Sequence, residues 1–218
     1  MVSRWAASPG GVEQCHVVRR HRRAGRHQHQ ARSFLLKLDP PEFRGLVENE
    51  AVFLQACASS GLVAAQAELL RDSEGFPGLA VLRFDRVRVP GGPLRQLAVE
   101  DGCQVQGRSP GDKDVLGYAA TFKALAAVCD ARLLAARTLL AQLTFAILTG
   151  NGDAHAKNFA VLQQPDGEWF LSPAYDVPSS QPYGESTLAM PANGRCSDVG
   201  AVDVLARVVR QRRERLAP

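Results

Sequence analysis

The stretch TGNGDAHAKN, residues 149–158, places charged and polar side chains among small residues directly after a long apolar segment. Its glycines permit tight backbone turns, and catalytic side chains concentrate on loops of this kind. Asp153 and Asn158 lie within it, and Asp176 follows at the end of LSPAYD, residues 171–176. Phosphoryl transfer from a nucleotide requires a carboxylate that orients the attacking hydroxyl and hard oxygen ligands for Mg²⁺. Asp153, Asn158 and Asp176 occur in the order in which protein kinases use such residues.

An earlier segment supplies a candidate for the pair that binds nucleotide phosphates in kinases. In those enzymes a lysine on a strand contacts the phosphates, and a glutamate on the following helix holds the lysine. The run SFLLKL, residues 33–38, predicts a strand that carries Lys37, and the apolar spacing of residues 47–60 predicts a helix that carries Glu50. Glu48 is close enough in sequence to serve instead, and in isolation Lys37 could be an exposed strand residue.

The remaining pattern predicts a small sheet followed by a mostly helical region. Strands are expected at 66–70 and 79–84 with an antiparallel connection, helices at 115–128 and 130–148, and a hairpin at 159–162 and 168–171. The stretch 86–112 is rich in Gly and Pro and predicts a loop with one short turn at 100–104. The leucines between 133 and 148 are predicted to form the buried core of the second helix.

Charge is distributed unevenly along the 218 residues, a length that suits one domain or two small lobes. The formal net charge is +4, but residues 1–32 carry +6 and residues 203–218 carry +3, so the body between them is acidic. Domains that bind a nucleic-acid groove normally show a basic face on the folded body. Nucleic-acid binding is therefore expected only indirectly or through the two basic ends.

The N-terminal stretch 1–32 shows no apolar periodicity, and we expect it to be a basic, disordered tail with little fixed structure. Its cluster of Cys15 and histidines fits no tetrahedral metal pattern. The five cysteines form an odd set without a C-x-x-C pair, which favours reduced thiols. No signal peptide or bilayer-spanning apolar run is evident. These features predict a cytoplasmic protein without a membrane partner.

Together with their flanking segments, the motifs NGDAHAKNF and LSPAYD resemble the HipA family of bacterial serine/threonine kinases, the toxins of type II toxin-antitoxin pairs. The resemblance extends from about Phe34 to Met190 through FLLKL, LVENE, VLRFDR, EDGCQ and LAM. It implies an α+β, protein-kinase-like fold of two lobes, with a small N-terminal sheet carrying one helix and a mostly helical C-terminal lobe. It also implies ATP and Mg²⁺ as cofactors, a protein substrate, and an antitoxin as a candidate partner.

The same resemblance implies a role for each site residue. Asp153 is expected to act as the catalytic base, and Asn158 and Asp176 are expected to hold Mg²⁺. Lys37, held by Glu50, is expected to contact the ATP phosphates. The other matches to the family are two residues of the catalytic loop that support phosphate binding or loop geometry and one residue whose segment lines the adenine pocket: His155, Lys157 and Phe84.

Departures from the family pattern accompany these matches. Leu82 stands where the family commonly has an acidic residue, and residues 1–32 offer no recognisable glycine-rich phosphate loop. The chain also ends at Pro218, soon after Asp176. We therefore expect a truncated or divergent member that is incomplete at both ends. Its expected parts are a tail at 1–32, a remnant of the N-terminal lobe at 33–98, a C-terminal lobe at 99–190, and a basic, partly helical tail at 191–218.

Three hypotheses about function remain. The leading one is a HipA-like kinase that transfers the ATP γ-phosphate to a protein serine or threonine. The alternative is a catalytically inactive remnant that serves as a protein-binding module for an antitoxin. The third is nucleic-acid binding through the Arg-rich ends, although no base-reading element is evident. For single residues, Asp153 could instead cap a turn, His155 could be a hydrogen-bonded loop residue, and Asp85 with Arg86 is expected to form a structural pair or to be solvated.

Overall fold

The structure is a computed structural model that describes residues 15–19, 32–88, 92–185, 187–192 and 194–197, with the backbone alone for 15–19. It divides the chain into two compact units, the first ending at Ala98 and the second beginning at Val99. The elements of the first unit are β1 (Cys15–Arg19), β2 (Arg32–Leu38), α1 (Leu46–Ser59), β3 (Ala67–Arg71), β4 (Pro77–Leu82), β5 (Arg86–Arg88) and β6 (Leu94–Gln96). Those of the second are β7 (Val99–Asp101), α2 (Gly102–Val105), α3 (Tyr118–Val128), α4 (Arg132–Thr149), β8 (Ala160–Gln163), β9 (Trp169–Leu171) and 3-10 helices at Pro110–Asp112, Ala156–Asn158 and Gln181–Tyr183.

The first unit is built on an antiparallel sheet with the strand order β1-β2-β4-β3, on which α1 packs against β3 and β4. The Asp39 carboxylate accepts hydrogen bonds from the backbone N–H groups of Gly45 (2.6 Å) and Val47 (2.8 Å). These bonds satisfy donors that the first turn of a helix otherwise leaves open. Because Asp39 directly follows β2, it ties the strand that carries Lys37 to the start of the helix that carries Glu50.

Four short strands lie where the sequence predicts none. β1 falls inside the expected tail 1–32 and pairs with β2 along its whole length. The expectation of little fixed structure is wrong for these five residues, because an edge strand can form through backbone hydrogen bonds without an apolar pattern. The expected loop 86–112 contains β5 and β6, which pair with each other, and β7, which pairs with β8. Strands of three residues are too short to show a period of two.

The second unit places α3 against α4 and adds the antiparallel sheet β7-β8-β9. The hairpin expected from the sequence is confirmed by the pairing of β8 with β9. Three rings join α3 to the segment that enters β8. Phe122 lies 4.9 Å from Phe159 between ring centroids, and Tyr118 lies 5.8 Å from Phe122 and 6.2 Å from Phe159. These edge-on and tilted contacts anchor the chain just after the predicted catalytic loop.

Helix α4 buries one face in the core of the second unit, through Ala135, Leu139, Leu143 and Ala146. The prediction that all leucines between 133 and 148 are core is wrong for three of them, since Leu133, Leu134 and Leu148 are 77%, 61% and 73% exposed. Within the described residues, α4 is also the one helix whose length and apolar composition would suffice to cross a membrane, a test that core helices pass as well.

Candidate active site

In the first unit, Lys37 and Glu50 form a buried ion pair. The Lys37 Nζ atom lies 2.7 Å from Glu50 Oε1 and 2.8 Å from Oε2, and the two side chains are 13% and 4% exposed. Glu48, the other candidate, instead contacts Arg71 at 2.6 Å on the surface. The structure therefore decides that Glu50 is the carboxylate on Lys37. Because a buried ion pair costs desolvation energy, such a pair is weak evidence for stability.

Phe84, the predicted adenine-side residue, lies half-buried in the turn after β4. The next residue, Asp85, accepts two hydrogen bonds from Arg83 (2.9 and 2.6 Å) and a short one from Arg86. This confirms the structural pair expected for Asp85 and Arg86. Burial acts to raise the pKa of Asp85, but the Arg83 hydrogen bond and the charges of both arginines outweigh it and hold that pKa below its ordinary value. The turn that carries Phe84 is thus fixed by electrostatics.

In the second unit, the predicted catalytic loop begins where α4 ends at Thr149. Gly150 adopts a left-handed conformation (φ 65°), which glycine tolerates and other residues resist. Ser180 secures the loop from the other side, because its Oγ accepts from the Gly152 N–H (2.7 Å) and donates to the Gly150 carbonyl (3.1 Å). A Cβ at Gly152 would lie 2.6 Å from the backbone oxygen of Thr187. The backbone leading to Asp153 therefore has little room to move.

Asn151 sets the direction of Asp153. It is 2% exposed, and its Oδ1 accepts the Asp153 N–H at 3.1 Å, a local turn typical of asparagine. The Asp153 carboxylate is 64% exposed, and its described contacts are with Lys113 Nζ (3.7 Å) and His155 Nε2 (3.9 Å). Within the described part of the chain it accepts no backbone hydrogen bond. The turn-capping alternative for Asp153 is therefore not what the structure shows, since Asn151 performs that task.

Asn158 and Asp176 lie in direct contact. The Asn158 Nδ2 donates to Asp176 Oδ2 at 3.1 Å, while its Oδ1 accepts from the His155 N–H at 2.9 Å. Asn158 is 8% exposed, so its orientation is set by these bonds. Asp176 has φ 57° and is the one non-glycine residue with positive φ among those described. Backbone strain of this kind clusters at functional sites.

The donor atoms at this contact suit magnesium. Asp176 offers a carboxylate and Asn158 a carboxamide oxygen with a second lone pair, and Mg²⁺ prefers hard oxygen ligands, often one or two carboxylates completed by phosphates and water. No group of three His, Cys, Asp or Glu side chains in the described residues could form an all-protein metal cage. The Asn158–Asp176 pair therefore fits a magnesium ion whose remaining ligands would be phosphate and water.

The other loop residues take different positions. Lys157 is bound through its main chain, because the Tyr175 hydroxyl donates to the Lys157 carbonyl at 2.6 Å, and burial raises the pKa of Tyr175. His155 is mostly buried, and its Nδ1 atom lacks a hydrogen-bond partner among the described residues. The alternative of a hydrogen-bonded loop histidine holds for its main chain, because the His155 N–H donates to Asn158 Oδ1 and the His155 carbonyl accepts the Asn158 N–H. The roles of His155 and Lys157 in phosphate binding stay predictions.

Sequence reasoning missed several residues that hold the loop. Asn151 carried a readable signal, because Asn-Gly-Asp is a turn sequence. No sequence signal marked the other three residues, because each contacts the loop from a distant part of the chain: Lys113, Tyr118 and Ser180. The buried Tyr118 hydroxyl donates to the Ala154 carbonyl at 2.9 Å. Together these residues hold the loop to its neighbours on three sides.

Comparison with known proteins identifies the family. The model of the HipA-like C-terminal domain family matches residues 7–216 of this chain. Y4mE of Sinorhizobium fredii, which carries a provisional kinase name, is 35% identical over 160 residues, covering 71% of this chain and 37% of that protein. The serine/threonine-protein kinase toxin HipA of Shewanella oneidensis is 32% identical over 167 residues, covering 68% of this chain and 38% of that protein.

Solved structures agree with this. HipA of Shewanella oneidensis, in a complex with HipB and operator DNA, superposes with a TM-score of 0.70 and 25% identity, covering 79% of this chain and 44% of that chain. The Helicobacter pylori proinflammatory kinase CtkA, at 16% identity and a TM-score of 0.55, covers 69% of this chain and 51% of that chain and supports the kinase-like fold alone. The chain thus spans about two fifths of the length of its curated HipA relative. It has an α+β, kinase-like fold and belongs to the HipA-like C-terminal domain family.

Proposed function

We propose that this chain is a protein kinase that transfers the γ-phosphoryl group of ATP to a serine or threonine hydroxyl. The observation that carries the proposal is the 3.1 Å contact between Asp176 and Asn158, which lies on the loop that presents Asp153 to solvent. A carboxamide and a carboxylate for a metal, next to an exposed carboxylate for a proton, are the groups that this reaction needs. The buried Lys37–Glu50 pair in the first unit supports the same proposal.

Each residue has a defined task in the proposed reaction. Lys37 binds ATP phosphates, and Glu50 fixes the position of its ammonium group. Asn158 and Asp176 would hold Mg²⁺, which when bound neutralises negative charge on the phosphates. Asp153 orients the substrate hydroxyl and accepts its proton. The hydroxyl oxygen bonds to the γ-phosphorus while the bond from that phosphorus to the bridging oxygen breaks, so that ADP leaves and the phosphate remains on the protein.

We extend the proposal to the setting in which the kinase acts. The relative from Shewanella oneidensis is named a toxin and is solved with HipB and DNA, which supports a toxin role here with an antitoxin as partner and nucleic acid contacted indirectly. The four cysteines whose side chains the structure describes are free thiols, and three of them are buried. Free thiols suit a reducing compartment, so we place the kinase in the cytoplasm.

The test combines nucleotide binding with phosphorylation. The exchange Asp153→Asn removes the proton acceptor but keeps the size of the side chain. We expect Mg-ATP to raise the melting temperature of both the wild type and this variant, while phosphorylation of protein falls by about 10²- to 10⁴-fold. Asp166→Asn, in the exposed turn of the β8–β9 hairpin, is the matched control and should retain activity. An unchanged rate in Asp153→Asn would remove Asp153 from the mechanism.

The same experiment separates the alternative function. If Mg-ATP leaves the melting temperature of the wild type unchanged, the kinase proposal fails and the inactive, antitoxin-binding remnant becomes the better hypothesis. If Mg-ATP binds but neither protein transfers phosphate, binding is retained without catalysis. Phosphorylation by wild type and by Asp166→Asn alike, with loss in Asp153→Asn, is the result that the kinase proposal requires.

A further inference from the structure

Lys113 is fixed beside the catalytic loop through its main chain. It directly follows the 3-10 helix Pro110–Asp112. At the start of this helix the Ser109 N–H donates to the Asp112 carboxylate and the Ser109 Oγ accepts the Gly111 N–H, both at 3.2 Å. The Lys113 carbonyl accepts the N–H of Ala156 at 3.1 Å. Ala156 lies in the same loop as Asp153. The backbone of Lys113 is therefore positioned by the segment that carries the proposed base.

The side chain of Lys113 reaches Asp153 without forming a hydrogen bond to it. Its Nζ atom lies 3.7 Å from Asp153 Oδ1 and 3.7 Å from Asp114 Oδ1, longer than a hydrogen bond between these groups. The ammonium carries three donors, and no hydrogen bond to either carboxylate occupies them. The side chain is 34% exposed, so an incoming anion can reach it.

Stabilisation of the fold by the ion pair is a poor explanation for the position of Lys113 beside Asp153. Asp153 is 64% exposed, and exposed ion pairs contribute about 0–1 kcal/mol. A chemical explanation is stronger. A phosphoryl group that approaches the Asp153 carboxylate brings negative charge towards negative charge, and a nearby cation offsets the repulsion. Within the described residues, Lys113 and His155 are the basic side chains within 4 Å of Asp153.

We propose that Lys113 donates hydrogen bonds to the γ-phosphoryl group of ATP during its transfer to the hydroxyl beside Asp153. This inference rests on the proposed kinase function and adds a contact to the transferred group. Bond making and breaking are unchanged: the hydroxyl oxygen bonds to phosphorus, ADP departs, and the proton goes to Asp153. Lys113 keeps its own protons and stabilises the charge on the phosphoryl oxygens.

Calorimetric binding of two nucleotides tests the inference without relying on turnover. The probes are Mg-ADP, which lacks the γ-phosphoryl group, and the magnesium complex of the non-hydrolysable β,γ-imido analogue of ATP, which retains it. In Lys113→Met we expect affinity for the analogue to fall about tenfold or more, as for loss of a hydrogen bond between charged groups. Affinity for Mg-ADP should be unchanged. Lys113→Arg, which keeps the charge, should retain most of the affinity for the analogue.

Lys123→Met is the matched control, because Lys123 is an exposed lysine on α3. It should bind both nucleotides as the wild type does. The inference is overturned if Lys113→Met binds the analogue normally, or if it loses affinity for both nucleotides equally, as a merely structural lysine would. If the wild type binds neither nucleotide, the kinase proposal itself fails and this inference fails with it. The two failures are therefore distinguishable.

Discussion

The Lys37–Glu50 pair and the surroundings of Asp153 both bring a lysine to a carboxylate, yet they differ in almost every physical respect. The first pair is buried and held at 2.7 Å, whereas Lys113 and Asp153 are 3.7 Å apart and Asp153 is 64% exposed. A short, buried ion pair fixes the position of the lysine ammonium. A longer, solvent-exposed pair leaves the ammonium and the carboxylate able to bind another group. In the proposed reaction, the buried pair would hold the nucleotide, whereas the exposed Asp153 would accept the proton of the substrate hydroxyl.

The largest expected effect is loss of the buried carboxylate. Glu50→Ala removes the carboxylate that lies 2.7 Å from the buried Lys37 ammonium, which we expect to lower the free energy of unfolding by about 3–5 kcal/mol. Urea denaturation followed by circular dichroism measures it. Glu48→Ala, which removes the exposed contact with Arg71, should cost about 1 kcal/mol or less. Equal losses in the two variants would mean that burial does not distinguish these glutamates.

A smaller effect is expected at the rigid backbone before Asp153. In Gly152→Ala the new Cβ would meet the Thr187 backbone oxygen at 2.6 Å and Ser180 Oγ at 2.8 Å. We expect a loss of about 1–3 kcal/mol of stability from overpacking and a lower rate of phosphorylation from displacement of Asp153. Thermal denaturation and a kinase assay measure the two. Gly111→Ala is the control, since its Cβ would find its nearest atom at an ordinary 3.5 Å. A Gly152→Ala protein as stable and active as this control would show that the loop adapts freely.

The smallest expected effect is a change in the stability of the protein that occurs only at acidic pH. The pKa of Asp85 is lowered in the folded protein, so the folded state binds its proton less readily than the unfolded state, where the value is about 3.9. Its stabilisation is present above that unfolded value and is lost as pH falls through the lower folded value. Asp85→Asn should therefore flatten the dependence of stability on pH below about 4. Melting temperatures measured from pH 7 to pH 2 test this; an acid limb as steep as in the wild type would exclude Asp85 as its source.

Local sequence patterns predict many of the candidate site residues. Asp153 and Asn158 lie in one loop, and Asp176 follows the hairpin that comes directly after that loop. Because all three lie within a short stretch of chain, the sequence alone suggests that they are neighbours. The contact between Asn158 and Asp176 is in accord with it. Lys37 and Glu50 likewise lie on a strand and on the helix that directly follows it, an order that the sequence predicts. The choice of Glu50 over Glu48 was not readable, because both lie in one helix and the face that turns inward depends on packing.

Other features depend on parts of the chain that sequence patterns do not connect. Leu133 and Leu148 belong to a helix that is apolar on most sides, so its spacing does not reveal which side is buried. Lys113 lies between the predicted loop 86–112 and the predicted helix 115–128, and a hydrogen bond from the Ala156 N–H to its carbonyl holds it beside Asp153. Long-range contacts of this kind require the folded structure.

The conformation of Asp176 restricts which residues can replace it. Left-handed backbone is open at low cost to glycine and, less readily, to asparagine and aspartate. Among these, aspartate alone carries a negative charge. Glutamate would preserve the charge but not the backbone tolerance, so the usual conservative exchange is disfavoured at this position. Asparagine and glycine are therefore the replacements that the backbone at this position tolerates best, and both remove the negative charge.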